Sequence, residues 1–221
     1  MAYDYEKSIR PGKLPHIWCP GCGHGIAMKG LIRAMDTCEL DRTKTALVSG
    51  IGCASRLPGY MDACTLHTAH GRAAAFATGV KMANPEMTVI CVGGDGDGVA
   101  IGGNHFIHAC RRNIDMTYVV LNNYIYGMTG GQFSPSTPTG AKASTTPYGN
   151  PEPPMQITEM VAAAGAAGPE LVLARGGWSG SDHMSFNTRE VPVLFLFGGP
   201  YPEYNRPSDT PAALIGLLKG N

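Results

Sequence analysis

The chain has 221 residues, 43% of them hydrophobic, and its formal net charge is zero. That length and apolar fraction suffice for one large or two small globular domains, and no block of Lys or Arg suggests a nucleic acid partner. The longest apolar runs are strand-length and the first residues lack the apolar core of a signal peptide, so we expect no contact with a membrane and a cytoplasmic location.

The first half of the chain predicts two helices and a strand. Apolar residues recur at helical spacing from Ile26 to Met35, after a turn-forming segment, 18–24, that is rich in Gly and Cys. A short strand follows at 45–48. The Ala-rich stretch 70–82 predicts a second helix, which should stop at Asn84 before Pro85.

The second half predicts a βαβ pattern. Strand 88–93, helix 104–112 and strand 116–121 call for a parallel sheet with a right-handed crossover. Residues 124–154 carry only short apolar pieces, and so long a stretch without regular structure is usually functional or disordered. A last helix is expected at 156–164, and the composition change at 165–169 predicts a boundary.

Polar clusters follow two of the predicted strands. The first cluster is Gly94, Asp95, Gly96 and Asp97, and the second is Asn122 and Asn123. Open α/β sheets bind ligands at the carboxyl edge of their strands. Carboxylate and amide oxygens there suit a small dication that also holds phosphate, and glycine lets the backbone approach a diphosphate. The alternative is two ordinary turns that happen to end neighbouring strands.

The cysteines cluster in the first half of the chain. Cys19 and Cys22 form a C-x-x-C pair, and Cys53 follows a separate strand. Such thiols could be a dithiol redox pair, half of a zinc site or part of an iron–sulfur shell. The residues alone leave these three readings open.

Six ordered segments of the chain resemble one family. They are WCPGCGHG (18–25), SGIGCASR (49–56), HTAHGRAAAFATGVK (67–81), GGDGDG (93–98), NNYIYGMTGGQFSPST (122–137) and TPYGNPEPP (146–154). Over residues 15–165 the chain resembles the β subunit of 2-oxoacid:ferredoxin oxidoreductases, most closely the 2-oxoglutarate type. The GDG and NN segments resemble the thiamine diphosphate motif. The resemblance implies an α/β thiamine diphosphate binding fold, with a parallel sheet flanked by helices, over residues 1–165.

The resemblance also implies a set of cofactors. Asp95, the Asn123 side chain and the Ile125 carbonyl would hold the Mg²⁺ that bridges the diphosphate of thiamine diphosphate. Cys19, Cys22 and Cys53 would be three of the four ligands of a [4Fe-4S] cluster. The family's fourth cysteine lies further downstream, where this chain has none. We therefore expect a subunit impaired in electron transfer.

The implied reaction is the oxidative decarboxylation of a 2-oxoacid, 2-oxoglutarate in the closest type, to its acyl-CoA with electrons passed to ferredoxin. The resemblance implies that catalysis requires an α subunit as partner. His67, His70 and Arg72 are expected at the polar start of a helix, facing the substrate carboxylate or the cofactor phosphates. Gln132 is a weaker candidate for the same pocket. The alternative for these side chains is a helix start that faces solvent.

The tail has a different character. The segment GSDHMSFNTREVPVLFLFGGPYPEYNRPSDT (180–210) resembles the C-terminal end of dinuclear zinc aminopeptidases. Asn205 stands where that pattern has a zinc-ligating histidine, and one Asp-His pair makes no dinuclear site. We therefore expect a chimaera: a truncated oxidoreductase module (1–165) joined to a fragment (166–221) that adds one strand and one helix. A non-catalytic remnant that binds thiamine diphosphate or a partner, and more remotely a metallopeptidase, are the alternative functions.

Overall fold

A computed structural model describes residues 3–164 of the chain, and the tail predicted at 166–221 lies outside the described residues. The elements are α1 (His24–Thr37), β1 (Thr45–Ser49), α2 (Leu57–Tyr60), β2 (Cys64–His67), α3 (Ala73–Ala83), β3 (Thr88–Gly94), α4 (Gly103–Arg111), β4 (Thr117–Leu121), β5 (Ile125–Tyr126), β6 (Gln132–Phe133) and α5 (Ile157–Ala164). A π-helical segment, Asp95–Ile101, joins β3 to α4.

The main sheet has four parallel strands in the order β2-β1-β3-β4. The chain leaves β1 towards one side to form β2, then returns to form β3 on the other side of β1. Loops at the carboxyl ends of β1 and β3 therefore diverge and leave a crevice between them, which is where open α/β sheets bind ligands. The predicted parallel sheet flanked by helices is confirmed.

Helices cover both faces of this sheet because the central strands are apolar on both. Alternate residues of β1 and β3 point to opposite faces. Leu47, Ile90 and Val92 pack in the cluster that contains α1. Ala46, Val48, Val89 and Cys91 pack with α3. A third cluster joins α4 to α5 through Phe106 and Val161.

Two expectations from the sequence were wrong in detail. The second helix begins at Ala73 rather than at residue 70, because Gly71 has a positive φ of 71° that is incompatible with a helix. His70 and Arg72 therefore precede the helix, and His67 ends β2, an edge strand that we did not predict. Its residues are exposed or half-buried, so it lacks the apolar run by which the other strands were found.

Residues 124–154 are ordered more than their sequence indicates. They contain a short antiparallel hairpin of β5 and β6, and several of their polar side chains are buried, namely Ser134, Ser136, Thr137 and Asn150. No helix within residues 3–164 is both long and apolar enough to cross a membrane.

Candidate functional site

A cleft opens at the switch point of the sheet. Its walls are the loop after β1, the turn before α3, the first turn of the π-helical segment and the residues that follow β4. The enclosed volume is about 50 Å³, whereas sites that bury a whole cofactor-sized molecule measure about 300–1,000 Å³. This cleft alone is therefore too small to bury a molecule of that size.

Asp97 holds the walls of the cleft together. Its Oδ1 accepts hydrogen bonds from the backbone amides of Gly71 at 2.7 Å and Ile51 at 3.1 Å. The carboxylate is 3% exposed. A Cβ on Gly50 would lie 2.3 Å from its Oδ2, so the loop after β1 can come this close to Asp97 only because residue 50 is glycine. Asp97 thus fixes the loops after β1 and β2 relative to the π-helical segment.

His70 faces the cleft on the same carboxylate. Its Nδ1 lies 2.7 Å from Asp97 Oδ1, and its ring meets the Tyr126 ring edge-on at a centroid distance of 6.3 Å. Because Nδ1 is held by the protein, Nε2 is the nitrogen left for a ligand. His70 is the one member of the predicted His67, His70 and Arg72 group that lines the cleft.

Asp95 lies at the floor of the cleft and is 2% exposed. Its Oδ2 accepts hydrogen bonds from the hydroxyls of Ser134 and Ser136. Its Oδ1 lies 3.0 Å from the Asn123 amide, which also lies 2.8 Å from the Ile125 carbonyl oxygen. The structure therefore brings together the three groups predicted to bind a dication.

The Asn123 amide can face these two oxygens in two ways. With its nitrogen towards them it donates to both. With its oxygen towards them, three oxygens converge and only a cation can compensate their repulsion. Ligands at adjacent corners of an Mg²⁺ octahedron, each about 2.1 Å from the ion, are about 3 Å apart. The separations of 3.0 and 2.8 Å match that spacing, so this donor set fits Mg²⁺.

Gly96 makes room for an aromatic wall. A Cβ at this position would lie 2.5 Å from two ring atoms of Tyr126, so a larger residue would displace the ring. Tyr126 in turn lines the cleft beside Asp95. The glycine is thus required by the close packing of the π-helical segment against the residues after β4.

Four residues predicted to bind the substrate or the thiamine cofactor are not among the residues that line this cleft. His67 contacts the Ser49 hydroxyl from the end of β2, and Arg72 is exposed. Asn122 accepts a hydrogen bond from the Tyr124 amide. Gln132 bonds within its own hairpin, to Thr129. Their roles in binding stay predictions.

The three predicted cysteine ligands lie near one another. Burial, followed by the proximity of Cys22 and Cys19, raises the pKa of the Cys53 thiol. The Trp18 indole donates to the Cys53 carbonyl at 2.8 Å, which ties the C-x-x-C segment to the loop after β1. Within residues 3–164, however, no three His, Cys, Asp or Glu side chains are arranged to hold a single metal ion.

Several residues of the site were missed in the sequence. Ser134 and Ser136 lie in a loop without periodicity, and only their contact with Asp95 distinguishes them from other loop serines. His24 also lines the cleft; its ring stacks on Trp18, and burial lowers its pKa. Its place two residues after Cys22 was the only available signal.

The chain is similar to known proteins. Residues 50–174 match the model of the thiamine pyrophosphate enzyme C-terminal TPP binding domain. The 2-oxoglutarate synthase subunit KorB of Archaeoglobus fulgidus is 57% identical over 167 residues, which are 76% of this chain and 62% of the relative. That of Methanocaldococcus jannaschii is 55% identical over 160 residues, 72% of this chain and 59% of the relative.

A solved structure is similar as well. It is a 2-oxoglutarate:ferredoxin oxidoreductase from Magnetococcus marinus with 2-oxoglutarate, coenzyme A and succinyl-CoA bound. The match has a TM-score of 0.71 and 46% sequence identity, and it covers 74% of this chain and 56% of the chain in that structure. The chain thus spans about six tenths of the length of these relatives. The predicted likeness to oxidoreductase β subunits is confirmed. The chain belongs to the family of thiamine pyrophosphate enzymes and carries their C-terminal TPP-binding domain.

Proposed function

We propose that this chain acts as the β subunit of a 2-oxoglutarate:ferredoxin oxidoreductase and provides the diphosphate-binding wall of its thiamine diphosphate site. The observation that carries the proposal is the convergence of Asp95, Asn123 and Ile125 oxygens at the sheet's switch point. The identity of 57% to a 2-oxoglutarate synthase subunit supports the substrate class.

In this proposal Mg²⁺ is held by Asp95 Oδ1, the Asn123 side-chain oxygen and the Ile125 carbonyl. The Asn123 amide rotates so that its oxygen replaces its nitrogen. Bound thiamine diphosphate supplies the nucleophilic carbon and electron sink for decarboxylation of the 2-oxoacid. His70, oriented by Asp97, offers Nε2 to a polar group of the ligand in the cleft, and Gly96 leaves room for Tyr126 to form the wall beside it.

A partner subunit completes the site. The cleft has a volume of about 50 Å³, which is too small to bury the whole cofactor and favours a site that another protein surface completes. We assign that surface to an α subunit. Met128 lies in the cleft wall and is 40% exposed, which suits a residue that packs against such a partner. 2-Oxoglutarate, coenzyme A and ferredoxin are the proposed reactants, and the cytoplasm the proposed location.

Cys19, Cys22 and Cys53 are the proposed ligands of a [4Fe-4S] cluster, and three thiols supply an incomplete shell. The other cysteines lie in separate elements of the fold. Cys91 is fully buried in β3, and Cys38, Cys64 and Cys110 belong to the end of α1, the start of β2 and α4. We therefore propose that transfer of electrons to ferredoxin is impaired.

The diphosphate site can be tested by thermal unfolding of the full chain with and without thiamine diphosphate and Mg²⁺. A ligand that binds only the folded protein, at about a hundredfold above its dissociation constant, adds about 2.7 kcal/mol of stability. We expect this gain in the wild type and its loss in Asp95→Ala. The matched control is Asp62→Ala, since Asp62 is exposed and lies outside the cleft; it should keep the gain. A wild-type chain without any gain would contradict the proposal.

A second candidate function is binding without turnover. The missing fourth thiolate favours it, because a chain that cannot complete a cluster could still hold thiamine diphosphate or a partner subunit. Iron and acid-labile sulfide, measured on anaerobically purified protein, separate the two. About four of each per chain would support the oxidoreductase and overturn the proposed impairment, and almost none would support the non-catalytic role.

The two-part organisation is proposed as well. The resemblance of residues 180–210 to the end of a zinc aminopeptidase supports a boundary near residue 165, and Asn205 argues against peptidase activity in that part. Limited proteolysis followed by mass spectrometry tests it. Cleavage concentrated between 165 and 180 is expected, whereas cleavage spread evenly over the chain would contradict it.

A further inference from the structure

Two serine hydroxyls lie directly beneath Asp95. Ser134 and Ser136 are 0% and 5% exposed, and both hydroxyls donate to the same carboxylate oxygen, Oδ2. The Ser134 bond measures 2.6 Å. A carboxylate oxygen has two lone-pair sites for hydrogen bonds. Oδ2 therefore already accepts two hydrogen bonds from the protein itself.

The turn that carries these serines is firmly held. The Ser134 amide donates to the Thr137 hydroxyl at 2.9 Å, and the Thr137 amide donates back to the Ser134 carbonyl at 2.9 Å. The buried Asn150 side chain donates to the Thr137 carbonyl at 2.8 Å. These bonds fix the backbone of the turn and so hold the two hydroxyls beside Oδ2.

The other oxygen of the Asp95 carboxylate, Oδ1, has a different neighbour. Asp95 Oδ1 faces the Asn123 amide, and that contact is the one that a cation would replace. We propose that Ser134 and Ser136 are positioning residues that restrict Asp95 to a single-oxygen metal ligand and so favour Mg²⁺ over Ca²⁺. The inference rests on the proposed function, since it concerns the same metal position.

The coordination chemistry of the two ions gives the reason. Mg²⁺ requires six ligands in a near-ideal octahedron at about 2.0–2.1 Å, and one oxygen per carboxylate satisfies it. Ca²⁺ takes about 6–8 ligands at about 2.3–2.6 Å and readily accepts both oxygens of one carboxylate. A carboxylate whose Oδ2 accepts hydrogen bonds from two hydroxyls therefore suits Mg²⁺ better than Ca²⁺. Removing the hydroxyls frees Oδ2 for two-oxygen coordination.

The test measures thiamine diphosphate binding to the full chain by calorimetry, once with MgCl₂ and once with CaCl₂. The variants are Ser134→Ala, Ser136→Ala and the double variant, and the matched control is Ser144→Ala, whose side chain is exposed. Loss of a group that orients a metal ligand commonly costs about 10–100-fold in metal affinity. We expect a loss of that order with Mg²⁺, a smaller loss with Ca²⁺ and no change in the control.

The ratio of the two affinities distinguishes positioning from mere structural support. A variant that loses the same factor with both ions has lost structure only, and that result overturns the inference. Unchanged binding in all variants also overturns it while leaving the proposed function intact. A wild-type chain without metal-dependent binding overturns both. If the double variant lacks a cooperative thermal transition, the single Ser136→Ala variant decides by the same ratio.

Discussion

Replacing Gly96 by alanine should push Tyr126 out of place. The new Cβ would lie 2.5 Å from two ring atoms and 3.1 Å from a third. Ordinary carbon contacts are about 3.5–4.0 Å, so the ring must retreat by about 1 Å. Overpacking of this kind costs about 1–3 kcal/mol. Alanine recovers about 0.5–1 kcal/mol as a better helix former, which leaves a net loss of about 0–2.5 kcal/mol.

The assay is urea unfolding of four proteins: the wild type, Gly96→Ala, Tyr126→Ala and the double variant. If the clash is with the ring, Gly96→Ala should be neutral or slightly stabilising once the ring is absent. The coupling free energy from this cycle should then be about 1–3 kcal/mol. Gly30→Ala is the matched control, because no atom lies within 4 Å of a Cβ there and α1 continues through it. It should stabilise by about 0.5–1 kcal/mol.

Two results would refute this reasoning. Gly96→Ala could gain stability as Gly30→Ala does, which would mean that the ring is free to move at no cost. Alternatively, Gly96→Ala could lose the same free energy with and without the Tyr126 ring. The loss would then come from the backbone of the π-helical segment and not from the contact.

Two further predictions concern stability. Asp97→Ala should destabilise the chain by roughly 2–4 kcal/mol, because the amides of Gly71 and Ile51 lose their acceptor and an unsatisfied buried donor costs about 1–3 kcal/mol. Asp97→Asn keeps an acceptor oxygen and should lose less stability in the same urea titration. Equal losses in the two variants would argue against the amide contacts. Partial burial and the hydrogen bond to Asp36 raise the pKa of Tyr3 from 10.0 to about 12. Because the folded-state pKa is raised, the stability difference between wild type and Tyr3→Phe should be constant below pH 10 and shrink between pH 10 and 12. Absorbance at 295 nm reports ionisation of the tyrosine. A stability difference that stays constant from pH 10 to 12 would contradict the raised pKa.

The sequence predicted the elements that bury apolar faces. The central strands β1 and β3 and the helices α1 and α4 were found within a few residues of their ends, because each presents a continuous or periodic apolar pattern. The edge strand β2 escaped for the opposite reason, since its exposed side chains carry no such pattern. The start of α3 was misjudged because a single glycine, Gly71, overrides the helical preference of the alanines around it.

The candidate site was predicted in part for a similar reason. Asp95 and Asn123 follow buried strands, so their meeting at one edge of the sheet follows from parallel topology. Ser134 and Ser136 bond to Asp95 across 39 and 41 residues of chain, and local sequence carries no information about contacts of that range. The different roles of the two acidic residues could not be predicted for the same reason. Asp97 accepts hydrogen bonds from backbone amides, and of the two residues only Asp95 has an oxygen available to a ligand.

The span of these contacts limits how the GDG and NN segments could be reused. Asp97 reaches amides 26 and 46 residues earlier in the chain, and Asp95 reaches hydroxyls well downstream. Grafting the two short segments onto another scaffold would transfer the ligand oxygens without the donors that orient them. Protein engineers who want this diphosphate site in a new context would have to move the whole stretch from β1 to the serine turn.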